Sequence, residues 1–270
     1  MKTVIQVFWA ALAALALAGC ETVQTTQGGV VGVDRKQTML VSSAEVNQAA
    51  AQEYQKVLAQ ARQQGRLNRN PQQVQRVRAI TQRLIPNTAA FRSDAPGWAW
   101  EANVITDEQV NAWCMPGGKI AVYSGLIEKL QLTDDELAAI MGHEISHALR
   151  EHSREQISQQ TATGLVVGVA AAAVGLGDVG SQLANMVADV TFNLPRSRAD
   201  EVEADRIGVE LAARSGYNPH AAVSVWEKML KSASGGPPQF LSTHPSPANR
   251  LSDLKVYAER VMPLYQSARR

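Results

Sequence analysis

The chain has 270 residues, 45% of them apolar and 19% charged, which is enough for one sizeable domain or two small ones with a substantial core. That balance excludes a disordered chain, a collagen-like repeat and a polytopic membrane protein. With 26 basic against 25 acidic residues and two cysteines, it has neither a bulk field for nucleic acid nor a disulfide framework.

Met1-Lys2 leads into an uncharged run ending at Gly19, with VIQVFWAALAALALA at its heart. Its length suits a signal-peptide hydrophobic region and is short for a membrane span. Leu17-Ala18-Gly19-Cys20 resembles a bacterial lipobox, which implies cleavage of residues 1–19 and acylation of Cys20. Two or more acyl chains on one residue give stable anchoring. Glu21 follows where an aspartate would signal inner-membrane retention, so the expected place is the periplasmic face of the outer membrane, with the inner membrane the lesser choice. Cleavage removes Lys2 alone among the charges, and with Cys20 lipidated Cys114 has no partner.

Residues 20–41 are rich in Gly, Thr and Gln and read as a tether. From Ser42 to Ile85 the pattern is helical, in two pieces: one stops at Gly65, the other starts at Pro71 and ends before Pro86. Trp98 to Ile105 alternates like a strand. Asn111–Cys114 and Lys119–Tyr123 flank Met115-Pro116-Gly117-Gly118 as a hairpin. Thr133 and Glu136 form a capping box that opens a helix reaching about His152. The Ala/Gly stretch 164–177 is too short to span a membrane and reads as either a buried helix or a flexible covering segment. A helix from Ala199 to Ser215, a loop over 231–239, a last helix over 247–259 and a tail over 263–270 complete the chain.

Inside the capped helix lies His143-Glu144-Ile145-Ser146-His147. The i, i+4 spacing stacks two imidazoles one turn apart, close enough to share one zinc ion. Glu144, one residue on, projects beside the metal, placed to take a proton from its water. A catalytic zinc needs a third protein ligand and an open position. Arg150 and Ser153 stand where a metzincin would have Gly and His, so the third ligand should be a carboxylate on another helix. Glu201 and Asp205 offer one at i, i+4, whereas Glu203 lies roughly 200° round that helix.

The HEISH helix, the SRADEVEAD segment, the hairpin NAWCMPGGKIAVYSGL and the terminal STHPSPANR together resemble metallopeptidase family forty-eight, in particular its periplasmic lipoprotein branch, LoiP- and BepA-like. The resemblance implies a predominantly helical α+β fold, the gluzincin form of the minimal zincin, with a small β-sheet and hairpin beside the HExxH helix and a metallopeptidase domain over 42–262. It implies one zinc per chain on His143, His147 and Glu201, with Glu144 catalytic and Asp205 holding a ligand histidine's other ring nitrogen. His244 becomes a second catalytic group stabilising the oxyanion, a fourth zinc ligand that keeps the enzyme latent, or a surface histidine. Arg250 is either a transition-state donor or a salt-bridge residue.

In this family the strand matching Asn111, Ala112, Trp113 and Cys114 is a sheet edge to which an extended substrate can add. Cys114 reads as a packing residue, His152 as a solvated end-of-helix residue and His220 as a helix-start residue, neither of them on the metal. The expected activity is hydrolysis of misfolded or misassembled envelope proteins. Its partners would be unfolded or extended polypeptides, the membrane through the lipid anchor and outer-membrane assembly machinery, with no nucleic acid. The alternative is a chaperone-like assembly factor with a latent zinc site. A prenyl-protein protease is disfavoured because the chain lacks that branch's multiple spans.

Overall fold

The computed structural model describes residues 21–163, 179–232, 238–246 and 248–270. The signal segment, Cys20 and the stretch 164–177 lie outside the described residues. No described helix is long and apolar enough to cross a membrane.

Helix α1 (Ser43–Gln63) starts at a capping box made by Ser42 and Glu45. In α2 (Pro71–Leu84) Asn70 caps the first turn and Pro71, lacking an N–H, costs nothing where that donor would have no helical partner. A three-stranded sheet follows: β3 (Glu101–Ile105), β4 (Ala112–Met115) and β5 (Lys119–Tyr123), in the order β3-β5-β4. Strand β5 runs parallel to β3 and antiparallel to β4, so β4 is an edge. The hairpin turn needs Gly117 and Gly118, both left-handed at φ 75° and 80°.

The strands alternate cleanly. Ala112, Cys114, Ile120 and Val122 enter one core, while Trp113, Met115 and Ala121 enter another. The first core lies under α2, α4 (Asp134–Leu149), α7 (Arg198–Arg214), α8 (Ala221–Ser232) and α10 (Arg250–Ala268). The second lies under α1 and α6 (Val179–Phe192). Short helices α3 (Ser124–Lys129) and α9 (Gln239–Thr243) and the eleven-residue α5 (His152–Ala162) complete the set.

Helix α4 is buried along nearly its whole length, from Glu136 to Leu149, because β4 covers one side and α7 the other. The two helices meet at glycines. A Cβ built on Gly208 would lie 2.7 Å from the His143 nitrogen, and one on Gly142 would lie 2.9 Å from the Gly208 carbonyl oxygen. Backbone therefore faces backbone where the HExxH helix crosses its neighbour. Gly208→Ala is expected to cost about 1–3 kcal/mol in chemical denaturation, since neither side of the contact is a side chain that could rotate away.

Three boundaries differ from the sequence reading. The presumed tether is folded: β1 (Glu21–Val23) pairs antiparallel with β2 (Gln37–Met39), and Val31, Val33 and Met39 are buried. Its glycines serve close approach. Gly29, at φ 61°, passes where any Cβ would strike Glu210 Oε2 and Phe91, and the neighbouring Val31 N–H donates to Glu210 Oε2 at 3.0 Å. The HExxH helix stops at Leu149, and a left-handed Glu151 (φ 52°) turns the chain back so that His152 begins α5. Finally, α10 continues to Ala268 through Pro263, so residues 263–268 are helix and not tail. Pro263 and Glu259 are both exposed, which leaves the carbonyl freed by the proline to water, while Leu264 and Tyr265 still pack on the core.

Candidate metal centre

His143 and His147 project from α4 toward α7, with their Nε2 atoms 3.1 Å apart. Glu201, in the first turn of α7 and fully buried, reaches both: Oε2 is 3.5 Å from His143 Nε2 and Oε1 is 3.4 Å from His147 Nε2. His244, just past α9, places Nδ1 3.0 Å from Glu201 Oε1 and 3.3 Å from His143 Nε2. One atom from each of these four residues lies within 4.8 Å of all the others. Tetrahedral zinc with ligands at about 2.0–2.1 Å requires ligand atoms about 3.4 Å apart. The donors, two or three imidazoles and a carboxylate, fit that ion in both type and spacing.

Burial drives the His147 pKa well below its ordinary value, leaving the neutral imidazole that ligates metal. Burial also opposes ionisation of Glu201, but the surrounding histidines outweigh it and hold the carboxyl well below the usual range. For His143, burial lowers the pKa, yet the hydrogen bond to Asp205 and the nearby carboxylates raise it overall. Asp205 Oδ1 sits 2.9 Å from His143 Nδ1, which directs Nε2 at the centre.

Arg250 fixes the carboxylates. Its guanidinium contacts Asp205 Oδ1 and Oδ2 at 2.7 Å each and Glu201 Oε2 at 3.0 Å, and it lies 3.3 Å above the Trp226 ring. Arg250 makes the salt bridge that was one of the two roles open to it.

Glu144 stands beside the cluster, with Oε1 4.0 Å from His143 Nε2 and 3.6 Å from His244 Nε2. That oxygen is buried and accepts no hydrogen bond from the described residues, and burial raises the carboxyl's pKa. An orphaned buried carboxylate oxygen is costly, and a water held on a neighbouring metal would satisfy it.

A profile of Peptidase family M48 matches residues 71–258. The chain belongs to that family. It is 36% identical over 176 residues to the mitochondrial metalloendopeptidase OMA1 of Arabidopsis thaliana, covering 64% of this chain and 35% of that protein. The OMA1 of Schizosaccharomyces pombe is 36% identical over 160 residues (58% of this chain, 46% of the relative), and the beta-barrel assembly-enhancing protease of Escherichia coli is 33% identical over 171 (60% and 35%). The M48 chain thus matches half or less of the length of these relatives.

Other parts of the M48 chain departed from expectation or escaped it. His152 is not a solvated end residue: it is fully buried, with Nδ1 2.8 Å from His147 Nδ1 and Nε2 3.1 Å from Glu203 Oε2. Glu203 turns away from the metal cluster, as its helical angle required, and into a group of charges that holds its pKa at about 2. Burial opposes that shift, and the bonds to His152 and Arg35 overcome it. His220 stands exposed at a helix start, 3.3 Å from Glu259.

Arg196 had no sequence signal, being one arginine in a loop. It is buried, donates to Ser153 Oγ at 3.2 Å and Gln156 Oε1 at 3.3 Å, and acts electrostatically on Glu144 and Glu201. Its N–H donates to the Thr243 carbonyl at 2.9 Å, which fastens the residue before His244.

In β4, the Asn111 carbonyl accepts from the Tyr123 N–H at 3.1 Å, so antiparallel alternation turns Asn111, Trp113 and Met115 toward β5 and the main chain of Ala112 and Cys114 toward the sheet edge. The Ala112 N–H is taken by Asn111 Oδ1 at 2.9 Å. Trp113 packs edge-on against Tyr54 and Phe192 on the far face. Cys114 faces α4; burial, reinforced by the Glu144 charge, pushes its thiol well up, so it is a packing residue and not a nucleophile.

Proposed function

We propose that this chain is a zinc metalloendopeptidase, held through acyl groups on Cys20 at the periplasmic face of the outer membrane, that hydrolyses misfolded or misassembled envelope polypeptides. The observation that carries the reading is the meeting of His143, His147 and Glu201 beside a buried Glu144 oxygen that has no bonding partner among the described residues. The lipobox-like Leu17-Ala18-Gly19-Cys20 and the similarity to a beta-barrel assembly-enhancing protease support compartment and substrate class.

Zinc bound by these residues would bring its water's pKa to about 7 and polarise the scissile carbonyl. The rest falls to the chain. Glu144 accepts the proton of the attacking water and returns it to the leaving amine. Asp205 and Arg250 keep His143 and Glu201 aimed at the centre. An extended substrate adds along the β4 edge formed by Asn111, Ala112, Trp113 and Cys114, with backbone bonds to Ala112 and Cys114 giving affinity without strict sequence preference.

A second reading is favoured by the closure of the site. His143, His147, Glu201 and His244 are all buried, and His244 is seated at the spacing of a fourth ligand, under a Phe240 ring stacked at 4.4 Å. In that reading the chain rests in a latent state, or serves mainly as an assembly factor.

One experiment addresses both. The full chain should cleave an unfolded protein, lose that activity on chelation and regain it with zinc. His244→Ala should raise the rate if the histidine is a latch and lower it if the histidine stabilises the oxyanion. Cleavage that survives complete metal removal would overturn the zinc reading.

A further inference from the structure

His143 and His147 are oriented by different means. The second ring nitrogen of His143 meets a carboxylate directly, that of Asp205. The second ring nitrogen of His147 meets another imidazole. His147 Nδ1 is 2.8 Å from His152 Nδ1, and His152 Nε2 is 3.1 Å from Glu203 Oε2.

The direction of this chain of bonds follows from the metal. A ligand Nε2 must keep its lone pair free, so the single proton of a neutral His147 sits on Nδ1 and is donated to His152 Nδ1. That leaves the His152 proton on Nε2, where it is donated to Glu203. Every ring nitrogen along the line is then used once.

Glu203 is held from two sides. Arg150, the residue just past α4, donates from Nε to Oε2 at 2.8 Å. Arg35 donates from Nε to Oε1 at 2.5 Å and also grips Glu155 at 2.6 Å and Asp200 at 2.9 Å. Arg35 belongs to the segment between β1 and β2, far in sequence from the HExxH helix. The left-handed Glu151 makes the arrangement possible, because a helix continuing through His152 would carry that ring about 140° round from His147.

We propose that His152 is a positioning residue for His147, and that the Arg35–Glu203–His152 line ties the N-terminal segment to the geometry and affinity of the metal centre. The inference rests on the metal reading above. It predicts that a residue touching neither metal nor substrate, and one outside the matched family region altogether, set how tightly zinc is held.

The test uses the full chain, with zinc affinity measured by chelator competition, the visible absorption of the cobalt(II)-substituted protein, and the melting temperature of the metal-free form. His152→Ala should weaken zinc binding about 10- to 100-fold and alter the cobalt bands, in the range known for partners of metal-ligating histidines. His152→Gln, whose amide can accept from His147 and donate to Glu203, should recover most of that loss. Arg35→Ala should weaken zinc binding by about tenfold, at the lower end of the same range, whether or not the His152 variants fold. Wild-type affinity and cobalt bands in both His152→Ala and Arg35→Ala would overturn the proposal. So would losses confined to the melting temperature, since these would mark simple packing. A wild-type chain that takes up no zinc would instead sink the metal centre, and the relay with it.

Discussion

Glu144→Gln should leave a folded chain that holds zinc as tightly as the wild type and cleaves unfolded protein about 10²- to 10⁴-fold more slowly, the contribution of a positioned proton carrier. The substitution keeps the side chain's shape and removes only its ability to take a proton. It should not harm stability. The wild-type carboxyl is buried, lacks a partner at Oε1 among the described residues and is pushed toward its neutral form by burial, so a neutral amide is easier to bury there. Rates are to be compared at matched zinc content, with melting temperatures recorded. Equal inertness of wild type and variant, with any envelope-assembly function intact in both, would transfer the protein to the assembly-factor reading.

Glu201→Ala should act on the opposite quantity, lowering bound zinc from about one per chain to a trace. Four partners lose the carboxylate together: His244 at 3.0 Å, Arg250 at 3.0 Å, His147 at 3.4 Å and His143 at 3.5 Å. Removing one member of a buried charge cluster costs about 3–5 kcal/mol because the remaining charge stays buried. Arg250, still paired to Asp205, should blunt that loss toward the lower figure. Arg206→Ala, which breaks the partly exposed pair with Asp253 between α7 and α10, is the control and should change stability by about 1 kcal/mol or less with zinc content unaffected. Full zinc occupancy in a folded Glu201→Ala chain would place the third ligand elsewhere.

The site was legible in the sequence where chemistry demands fixed spacing. Two imidazoles on one metal need the i, i+4 step of α4, which points to His143 and His147 and leaves Glu201 and Asp205 as candidate carboxylates; their separate roles came from the resemblance to the family. The start of the HExxH helix was equally plain, since Thr133 with Glu136 is a side-chain signal in the sequence itself. What lay hidden depends on contacts distant in sequence. A stretch of Gly, Thr and Gln looks flexible until Glu210 and Phe91 are seen pressed against Gly29. The end of α4 carries neither Gly nor Pro, so the left-handed Glu151 gave no warning, and His152 was assigned to water when it lies in the interior. Arg196 and Arg35 are loop arginines outside any motif, and only the folded chain shows the carboxylates they serve.

The early start of folded structure bears on where such a protein could work. Among the described residues the first strand, β1, starts at Glu21, next in sequence to the residue carrying the lipobox thiol. Acyl groups attached there would have about one residue, roughly 4 Å, of slack before the globule. With a radius of gyration near 18 Å for a body of this size, the metal centre of a chain anchored as proposed would stay within a thin shell above the lipid headgroups. On such a short leash the enzyme would meet clients stalled at the bilayer and leave chains drifting in mid-compartment alone.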